Sequence, residues 1–395
     1  MPKLNIDRSA ALKRLVHLLR VPGVSRQETQ ISRAVEQMLR KLGVKPSQIT
    51  RDRAHTHFGG EVGNLFARLP GKGRLTRAPR RFFSAHVDTV PTCAGVQPVV
   101  RGSWIRPKGK TSLGADDRAG VAAILSALAE TRARGSDHPP LTLAFLVAEE
   151  VGLWGSRYVD RRILREYAMG FNLDGAAPTT ATVAAPSGCL LDIEISGIAS
   201  HAGGSPEKGA SAATVFALAT AELARGGWLG KVLKGRQEGR ANFGVVRGGE
   251  ATNVTMPHMT VKGEARSHSP AFLKRIVSTA ERAFQRAAKK VKNDDGKTAA
   301  VRFRVTPNYT AFKLPVRSPV VGEYRRALRQ LGAKDPETVA GFGAVDANNL
   351  CAKGLPTVTF GAGGRNAHCV GESCYLPDYY LATAVLTELM TAADT

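Results

Sequence analysis

The sequence predicts an α/β fold in which a mostly parallel β-sheet is covered by helices and a smaller α+β domain is inserted. Three observations lead to this prediction. Apolar runs at 81–85, 141–148 and 169–173 each end directly in an acidic or imidazole side chain, as buried strands of a parallel sheet do where ligand sites form. Helical patterns alternate with these runs. Between 188 and 306 the pattern changes to that of a ferredoxin-like unit.

The outer segments of the chain predict the elements of the larger domain. Apolar residues recur on one helical face at 7–19 and 29–42, which indicates two amphipathic helices. An alanine-rich segment at 119–133 predicts a buried helix that begins directly after two aspartates, and carboxylates are favourable at a helix amino terminus. The other predicted elements are strands at 63–69, 81–86, 141–148, 169–173 and 357–360, and helices at 156–166, 319–331 and 376–391, with one more opening near 346.

The inserted segment has its own order of elements. This order, β-α-β-β-α-β, matches the ferredoxin-like unit. Candidate site residues lie on both sides of the insertion, so we predict a discontinuous catalytic domain at 1–187 and 307–395 and a lid or dimerisation domain at 188–306. A chain of 395 residues exceeds the roughly 250–300 at which single cores stop growing. The predicted elements of the insertion are 190–196, 210–224, 242–247, 259–267, 270–291 and 300–306.

Composition limits the class of protein. Hydrophobic residues make up 43% and charged residues 23% of the chain, which is an ordinary globular balance. No apolar run approaches the roughly 20 residues of a membrane span, and 1–21 lacks a signal-like apolar block. The five cysteines are dispersed and form no close pairs. We therefore expect a cytoplasmic protein with free thiols and no membrane partner.

The chain is strongly basic, with 56 basic and 33 acidic side chains and a formal net charge of +23. Such a charge is typical of proteins that bind nucleic acid or an acidic surface. The excess is spread over many helical segments, however, and no nucleic-acid-binding module accompanies it. We expect solvated helical faces, with a basic docking surface as the alternative.

Five short segments carry the acidic and imidazole side chains that a two-metal hydrolase needs. Zinc binds imidazole nitrogen and carboxylate oxygen, and two metals a few ångströms apart need a shared ligand. One Glu-Glu pair or one His-x-Asp is usually an ordinary surface or core feature, but the ordered coincidence of five such segments favours a metal site. The segments are His86-Val87-Asp88, Asp116-Asp117, Glu149-Glu150, Asp174 and His368.

These segments resemble the successive motifs of the zinc exopeptidase family that includes peptidase T, carboxypeptidase G and the aminoacylases. The resemblance covers about residues 60 to 380, and the final stretch is most similar to the peptidase T branch. The matching segments are 84–90 (SAHVDTV), 113–120 (LGADDRAG), 148–153 (AEEVGL), 173–175 (LDG), 200–203 (SHAG), 251–254 (ATNV), 263–267 (GEARS), 346–350 (DANNL) and 361–368 (GAGGRNAH).

The resemblance implies two divalent metal ions per chain, zinc above all, with cobalt or manganese as alternatives. It assigns His86 and Asp174 to the first ion and Glu150 and His368 to the second. Asp116 would bridge the two ions. A thiolate ligand, from Cys369 beside the last histidine, is not needed because imidazole and carboxylate groups already fill both positions.

The same resemblance implies roles for residues that do not bind metal. Glu149 would be the general base, which takes a proton from the bridging water and passes it to the leaving amine. Asp88 would hold the second ring nitrogen of His86, and Asp117 would be a supporting residue.

Three residues of the insertion also match family motifs. His201 would stabilise the tetrahedral oxyanion, often from the neighbouring subunit of a homodimer. Asn253 and Arg266 would bind the substrate carboxylate, for which a planar guanidinium is well suited. The alternatives are a core or sheet-edge role for Asn253 and a structural ion pair for Arg266.

The sequence therefore predicts a metal-dependent exopeptidase that hydrolyses small peptides. An N-acyl-amino-acid or carbamoyl amidohydrolase is the alternative with the same metal site. A catalytically idle basic binding protein is the alternative of another class, but an unused site has no reason to keep Glu149. The chain departs from the family at Arg118 and Gly371, where lysine and aspartate are common. The sequence leaves open which terminus of a peptide is recognised.

Overall fold

The structure, a computed structural model, describes residues 5–164 and 166–391, and the chain forms two compact units. The first unit comprises the chain up to Ala184, the segment Lys313–Gly341 and the chain from Val345 onward. The second comprises Ala185–Phe312 and the short segment Phe342–Ala344. The boundaries of the insertion predicted from the sequence were 188 and 306.

Some helices begin where a capping side chain or a proline favours the first turn. Asp7 Oδ1 accepts the backbone N–H of Ala10 at 2.9 Å at the start of the first helix, and Ser269, followed by Pro270, caps the longest helix. The described residues form α1 Arg8–Arg20, α2 Thr29–Lys41, α3 Ala115–Ala133, α4 Trp154–Tyr158, α5 Arg161–Leu164, α6 Ala212–Arg225, α7 Pro270–Lys290, α8 Pro319–Gln330, α9 Ala347–Ala352 and α10 Leu376–Thr391.

The strands fall into three sheets of nine, five and four strands. Their bounds are β1 Ile49–Arg51, β2 Leu65–Leu69, β3 Arg80–His86, β4 Pro98–Arg101, β5 Trp104–Pro107, β6 Leu141–Leu146, β7 Tyr167–Leu173, β8 Thr180–Ala185, β9 Ser187–Ser196, β10 Gly230–Lys234, β11 Gln237–Gly248, β12 His258–Ser267, β13 Ala300–Tyr309, β14 Phe312–Lys313, β15 Glu337–Ala340, β16 Thr357–Phe360, β17 Gly364–Arg365 and β18 Ser373–Tyr375.

The nine-stranded sheet has a parallel centre. Its order is β1-β2-β6-β3-β7-β16-β8-β14, with β15 paired to β8. Strands β6, β3, β7 and β16 are parallel to one another, whereas β2 and β8 flank them in antiparallel pairs. All six residues of β6 are buried, as expected for a strand covered on both faces. The buried helix α3 supplies the alanine-rich face predicted from the sequence. The predicted fold class is confirmed.

The second unit is built on an antiparallel sheet of order β10-β11-β12-β9-β13. Without the edge strand β10, this order is that of a ferredoxin-like unit. Helices α6 and α7 bury one face of the sheet in a core that includes Ile195, Val215, Val261 and Phe284. Strand β10 was not predicted from the sequence, because it is a short edge strand with a single buried residue, Val232.

Several features of the first unit differ from the prediction, and strands β1, β8, β14 and β15 of the large sheet were not predicted. In place of the single helix expected at 156–166, the structure has two short helices, α4 and α5. The first ends because Val159 has a non-helical ψ of 127°, and Asp160 Oδ1 then accepts the N–H of Arg162 at 2.8 Å at the start of the second. Residue 165 lies outside the described residues. The four-stranded sheet β17-β18-β5-β4 was not predicted. Its strands have two to four residues, too few to show an alternating pattern. No described helix has the length and apolar character needed to cross a bilayer.

Candidate metal centre

The predicted site residues of the first unit meet where neighbouring strands end. His86 is the last residue of β3, Glu149 and Glu150 follow β6, and Asp174 follows β7. Because β6, β3 and β7 are adjacent and parallel, their carboxyl ends lie at one edge of the sheet. Asp116 lies in the first turn of α3 and His368 in the loop between β17 and β18.

Five side chains form two groups that can each hold a metal ion. His86, Asp116 and Asp174 form one group, and Asp116, Glu150 and His368 form the other; the candidate ligand atoms of each group lie within 4.8 Å of one another. Asp116 is common to both groups.

The contacts of Asp116 are those expected of a bridging ligand. Its Oδ1 lies 3.3 Å from Nε2 of His86, and its Oδ2 lies 3.3 Å from Nε2 of His368. The two imidazoles therefore face different oxygens of one carboxylate. Nε2 of His368 also lies 2.7 Å from Oε2 of Glu150.

The donor set fits divalent cations. Glu150 Oε1 and Asp174 Oδ2 are buried without a hydrogen-bond partner, and buried polar atoms rarely lack partners unless a ligand or ion supplies one. Imidazole and carboxylate donors suit zinc, manganese and cobalt. Cys369 is exposed and belongs to neither group, so the described ligand groups contain no thiolate.

Electrostatics within the site favour cation binding. Burial of Asp174 raises the pKa of its carboxyl well above the usual value, and the negative charge of Asp116 adds to the effect. Burial opposes the positive charge of His86, yet hydrogen bonds to Asp116 and Asp88 raise the pKa of this imidazole well above its usual value. In the metal-free protein, protons on the imidazoles thus offset part of the negative charge that a metal would neutralise.

Asp88 connects one candidate ligand to both glutamates. Its Oδ1 lies 3.4 Å from Nδ1 of His86 and accepts the backbone N–H of Glu149 at 3.0 Å. Its Oδ2 accepts the N–H of Glu150 at 3.2 Å and the hydroxyl of Ser25 at 2.7 Å. Asp88 is fully buried. It can therefore orient the imidazole and fix the turn after β6 at the same time.

Glu149 lies next to a candidate ligand but belongs to neither ligand group. The residue is 9% exposed. Burial raises the pKa of its carboxyl well above the usual value, and the negative charge of Asp174 adds to the effect. A carboxylate of high pKa that is not engaged by metal can accept a proton near neutral pH.

Asp117 belongs to neither ligand group. The peptide bond that joins it to Asp116 is cis. Oδ1 of Asp117 accepts the backbone N–H of Gly120 at 3.1 Å, so this hydrogen bond lies within the first turns of α3.

Three further buried carboxyl groups in this region were not identified as site residues from the sequence. Glu28 Oε1 accepts the N–H of Ala148 at 3.0 Å, and burial, followed by the charge of Asp88, raises the pKa of Glu28 to about 7. Burial raises the pKa of Asp346 to about 6. Glu372 accepts the backbone N–H groups of Leu113 and Gly114, just before α3, and of Asp116 in its first turn. An isolated acid in a loop gives no local sequence signal, although the position of Glu372 after the last histidine of the motif was a clue.

The other three predicted residues lie in the second unit. His201 Nδ1 accepts the N–H groups of Gly203 and Gly204 at 3.2 and 2.9 Å, so its proton is assigned to Nε2, which is a hydrogen-bond donor in the neutral ring. Asn253 lies beside His201, because the backbone carbonyl oxygen of Asn253 accepts the N–H of Ala202 at 2.9 Å. Both His201 and Asn253 are exposed.

Arg266 is half-buried on β12 and has partners within its own unit. Its guanidinium lies 2.9 Å from Oε2 of Glu264 and donates to the carbonyl oxygen of Phe342 at 3.4 Å. The guanidinium carbon also lies 5.9 Å from the centre of the Tyr309 ring. The structural ion pair considered from the sequence is thus present.

Comparison with known proteins assigns the family. The model of peptidase family M20/M25/M40 matches residues 82–392. The chain belongs to this family. It is 30% identical over 368 residues to an uncharacterized Bacillus subtilis protein, YqjE, with 93% of this chain and 94% of the relative covered.

Two solved structures are similar over nearly their whole length. An aminopeptidase PepT from Bacillus cereus is 28% identical, with a TM-score of 0.84. A tripeptidase from Staphylococcus aureus is 26% identical, with a TM-score of 0.87. In each case 98% of both chains is covered. The predicted family, its peptidase T branch and the prediction of a hydrolase that acts on peptide bonds are confirmed.

Proposed function

We propose that this metal-dependent exopeptidase removes single residues from the amino terminus of small peptides, with tripeptides as preferred substrates. The names of the two similar structures, an aminopeptidase and a tripeptidase, support this choice of terminus and length. The observation that carries the proposed mechanism is the position of Asp116 between two imidazoles, with Glu149 nearby and in neither ligand group.

In this proposal His86, Asp116 and Asp174 hold one divalent ion, and Asp116, Glu150 and His368 hold the other. The ions, zinc by preference with cobalt or manganese as alternatives, supply Lewis acidity toward the scissile carbonyl and toward water. The carboxylates and imidazoles leave no need for a further protein ligand.

The residues of the chain carry out the proton transfers. The Glu149 carboxylate takes a proton from the attacking water and delivers it to the nitrogen of the leaving amine. Asp88 keeps the His86 ring oriented and holds the backbone of Glu149. Nε2–H of His201 donates to the oxyanion as the carbonyl carbon becomes tetrahedral.

Arg266 and Asn253 bind the carboxylate of the substrate in this proposal. The pairing of Arg266 with Glu264 is compatible with it only if the substrate carboxylate competes with that side chain for the guanidinium. We also propose a homodimer in which His201 acts on the partner's site. Five free cysteines support a cytoplasmic location.

A panel of free and modified peptides tests the proposal. Di-, tri- and tetrapeptides, their carboxy-terminally amidated forms and N-acyl amino acids would be incubated with and without added zinc and followed by mass spectrometry. We expect zinc-dependent release of the amino-terminal residue from tripeptides. Release of the carboxy-terminal residue would contradict the choice of terminus, cleavage of N-acyl amino acids alone would favour the amidohydrolase, and metal binding without any cleavage would favour an idle binding protein.

A further inference from the structure

A buried carboxylate outside the proposed ligand set, Glu372, contacts the loop that carries Asp116. Its side chain is 1% exposed. Oε2 accepts the backbone N–H groups of Leu113 and Gly114 at 2.9 and 2.7 Å, and Oε1 accepts the N–H of Asp116 at 3.0 Å. Hydrogen bonds to an ionised acceptor are stronger than neutral ones. One carboxylate thus fixes the backbone of the shared candidate ligand and of the two turn residues before it.

Glu372 belongs to the loop that carries the other imidazole ligand. It follows His368 by four residues, between β17 and β18, and its backbone N–H donates to the carbonyl oxygen of Cys369 at 3.1 Å. The hydroxyl of Ser112 donates to the same carbonyl oxygen at 2.9 Å. The segment 112–116 thus donates four hydrogen bonds to the loop of His368, and these bonds join the two loops.

His368 has a backbone conformation that needs external support, with φ of +63°. Gly371 and Gly114 also have positive φ, +95° and +77°, which glycine adopts without steric cost. A residue with a side chain occupies the left-handed region only where its surroundings determine the conformation. For His368, those surroundings include the contacts to the neighbouring loop.

We infer that Glu372 is a positioning residue for the metal position formed by Asp116, Glu150 and His368. By joining the two loops it sets the distance between Oδ2 of Asp116 and Nε2 of His368, which is 3.3 Å in this structure. The inference rests on the proposed metal ligands. It adds a residue that does not touch the metal but determines how well that position binds it, as outer partners of metal ligands do.

The first ligand group shares Asp116 with the second but should depend less on Glu372, because the loop of Glu372 carries none of its other members. His86 and Asp174 lie at the ends of β3 and β7 in the centre of the large sheet, and Asp88 orients His86 from a different direction. Loss of the Glu372 contacts should therefore weaken one of the two ions selectively. A carboxylate that merely stabilised the fold would not distinguish between them.

The test is a comparison of Glu372→Gln with the parent protein in zinc titrations against a chelator of known affinity. A glutamine has one acceptor oxygen, so its NH₂ group must face either the N–H of Asp116 or the N–H groups of Leu113 and Gly114. We expect one zinc ion to bind as in the parent and the other to bind about 10–100-fold more weakly. Parental affinity for both ions, or equal weakening of both, would overturn the inference.

Glu323→Gln is the matched control for a lost buried carboxylate. Glu323 is 8% exposed and pairs with Arg81 and Arg326, and it belongs to neither ligand group. We expect this variant to lower the melting temperature of the metal-free protein but to bind both ions as the parent does. If Glu323→Gln and Glu372→Gln lose zinc affinity to the same extent, the role of Glu372 is structural and the inference is wrong.

Asp116→Asn separates failure of this inference from failure of the proposed metal site. If Asp116→Asn binds two ions with parental affinity, the ligand assignment itself is wrong. If Asp116→Asn loses metal while Glu372→Gln does not, only the positioning role fails. If Glu372→Gln does not fold, the same zinc titration of Glu372→Asp tests the inference, because the shorter carboxylate cannot reach all three N–H groups. It should weaken the same ion several-fold, and unchanged affinity would contradict the inference.

Discussion

Replacement of Glu149 by glutamine should remove the catalysis and leave the metal ions in place. The side chain belongs to neither ligand group, while the backbone N–H of Glu149 is held by Asp88 at 3.0 Å. The substitution keeps the size of the side chain and this backbone contact. It removes only the ability to accept a proton, so the turn that presents Glu150 to the metal should persist.

The size of the effect follows from the role of a positioned base. General base catalysis contributes about 10²–10⁴-fold, which corresponds to roughly 2.7–5.5 kcal/mol of transition-state stabilisation at 1.36 kcal/mol per tenfold change. We therefore expect kcat for a tripeptide to fall by about 10²–10⁴-fold at saturating zinc. Burial and the charge of Asp174 raise the pKa of Glu149, so the ionised carboxylate is unfavourable in the metal-free protein. Its removal should not lower the melting temperature of that form at neutral pH.

The adjacent residue supplies the control. Glu150→Gln changes the same turn by the same atoms, but Glu150 belongs to a ligand group and lies 2.7 Å from Nε2 of His368. Elemental analysis after gel filtration should find two ions per chain in Glu149→Gln and fewer in Glu150→Gln, with activity lost in both. Metal loss from Glu149→Gln, or a kcat within tenfold of the parent, would refute the assignment of the base.

Three other predictions concern protons, subunits and substrate. Hydrogen bonds to carboxylates raise the pKa of His368 to about 10 in the metal-free protein, so zinc must displace that proton on binding. The affinity for zinc, measured by chelator competition, should therefore rise at least tenfold per pH unit between about pH 6.5 and 8. A zinc affinity that does not change with pH would contradict this. If His201 acts in trans, mixing inactive His201→Ala and Glu149→Gln chains under conditions of proven subunit exchange should restore part of the activity, and no rescue would place it in cis. Arg266→Lys should lower kcat/KM for free-acid peptides with little change in melting temperature, by about 2–5 kcal/mol in free energy if a buried charged pair is lost. Equal cleavage of amidated and free peptides by the parent would leave Arg266 as the structural partner of Glu264.

Much of the site was predictable because its signals are local in sequence. His86, Glu149 and Asp174 each follow an apolar run directly, so one strand predicts both the position and the buried surroundings of the side chain. Parallel pairing of three such strands then brings the acids together. The contacts of Asp116 with two imidazoles required the resemblance to a family as well, because the start of a helix does not indicate which oxygen faces which ring.

The residues that sequence reasoning missed owe their environment to distant segments. Glu372 is buried because it accepts N–H groups some 260 positions earlier in the chain, and Glu28 because it accepts the N–H of Ala148. Neither partner can be inferred from the neighbours of the acid. The pair formed by Arg266 and Glu264 is different. Residues two apart on one strand share a face, so this pair could have been anticipated from the period of β12.

Some buried acids of the first unit accept several backbone N–H groups, whereas two proposed metal ligands keep a buried oxygen without a partner, and this difference couples folding to metal binding. Asp88 and Glu372 have N–H donors, whereas Glu150 and Asp174 each keep a buried oxygen without a hydrogen-bond partner. Burial raises the pKa of the latter two. A carboxyl whose pKa is higher in the folded than in the unfolded state destabilises the fold as pH rises above its unfolded value, about 4. The metal-free protein should therefore be destabilised at neutral pH by the same carboxylates that are proposed to bind metal. Divalent ions bound to the folded state but not to the unfolded chain remove that cost and add their own binding free energy to stability.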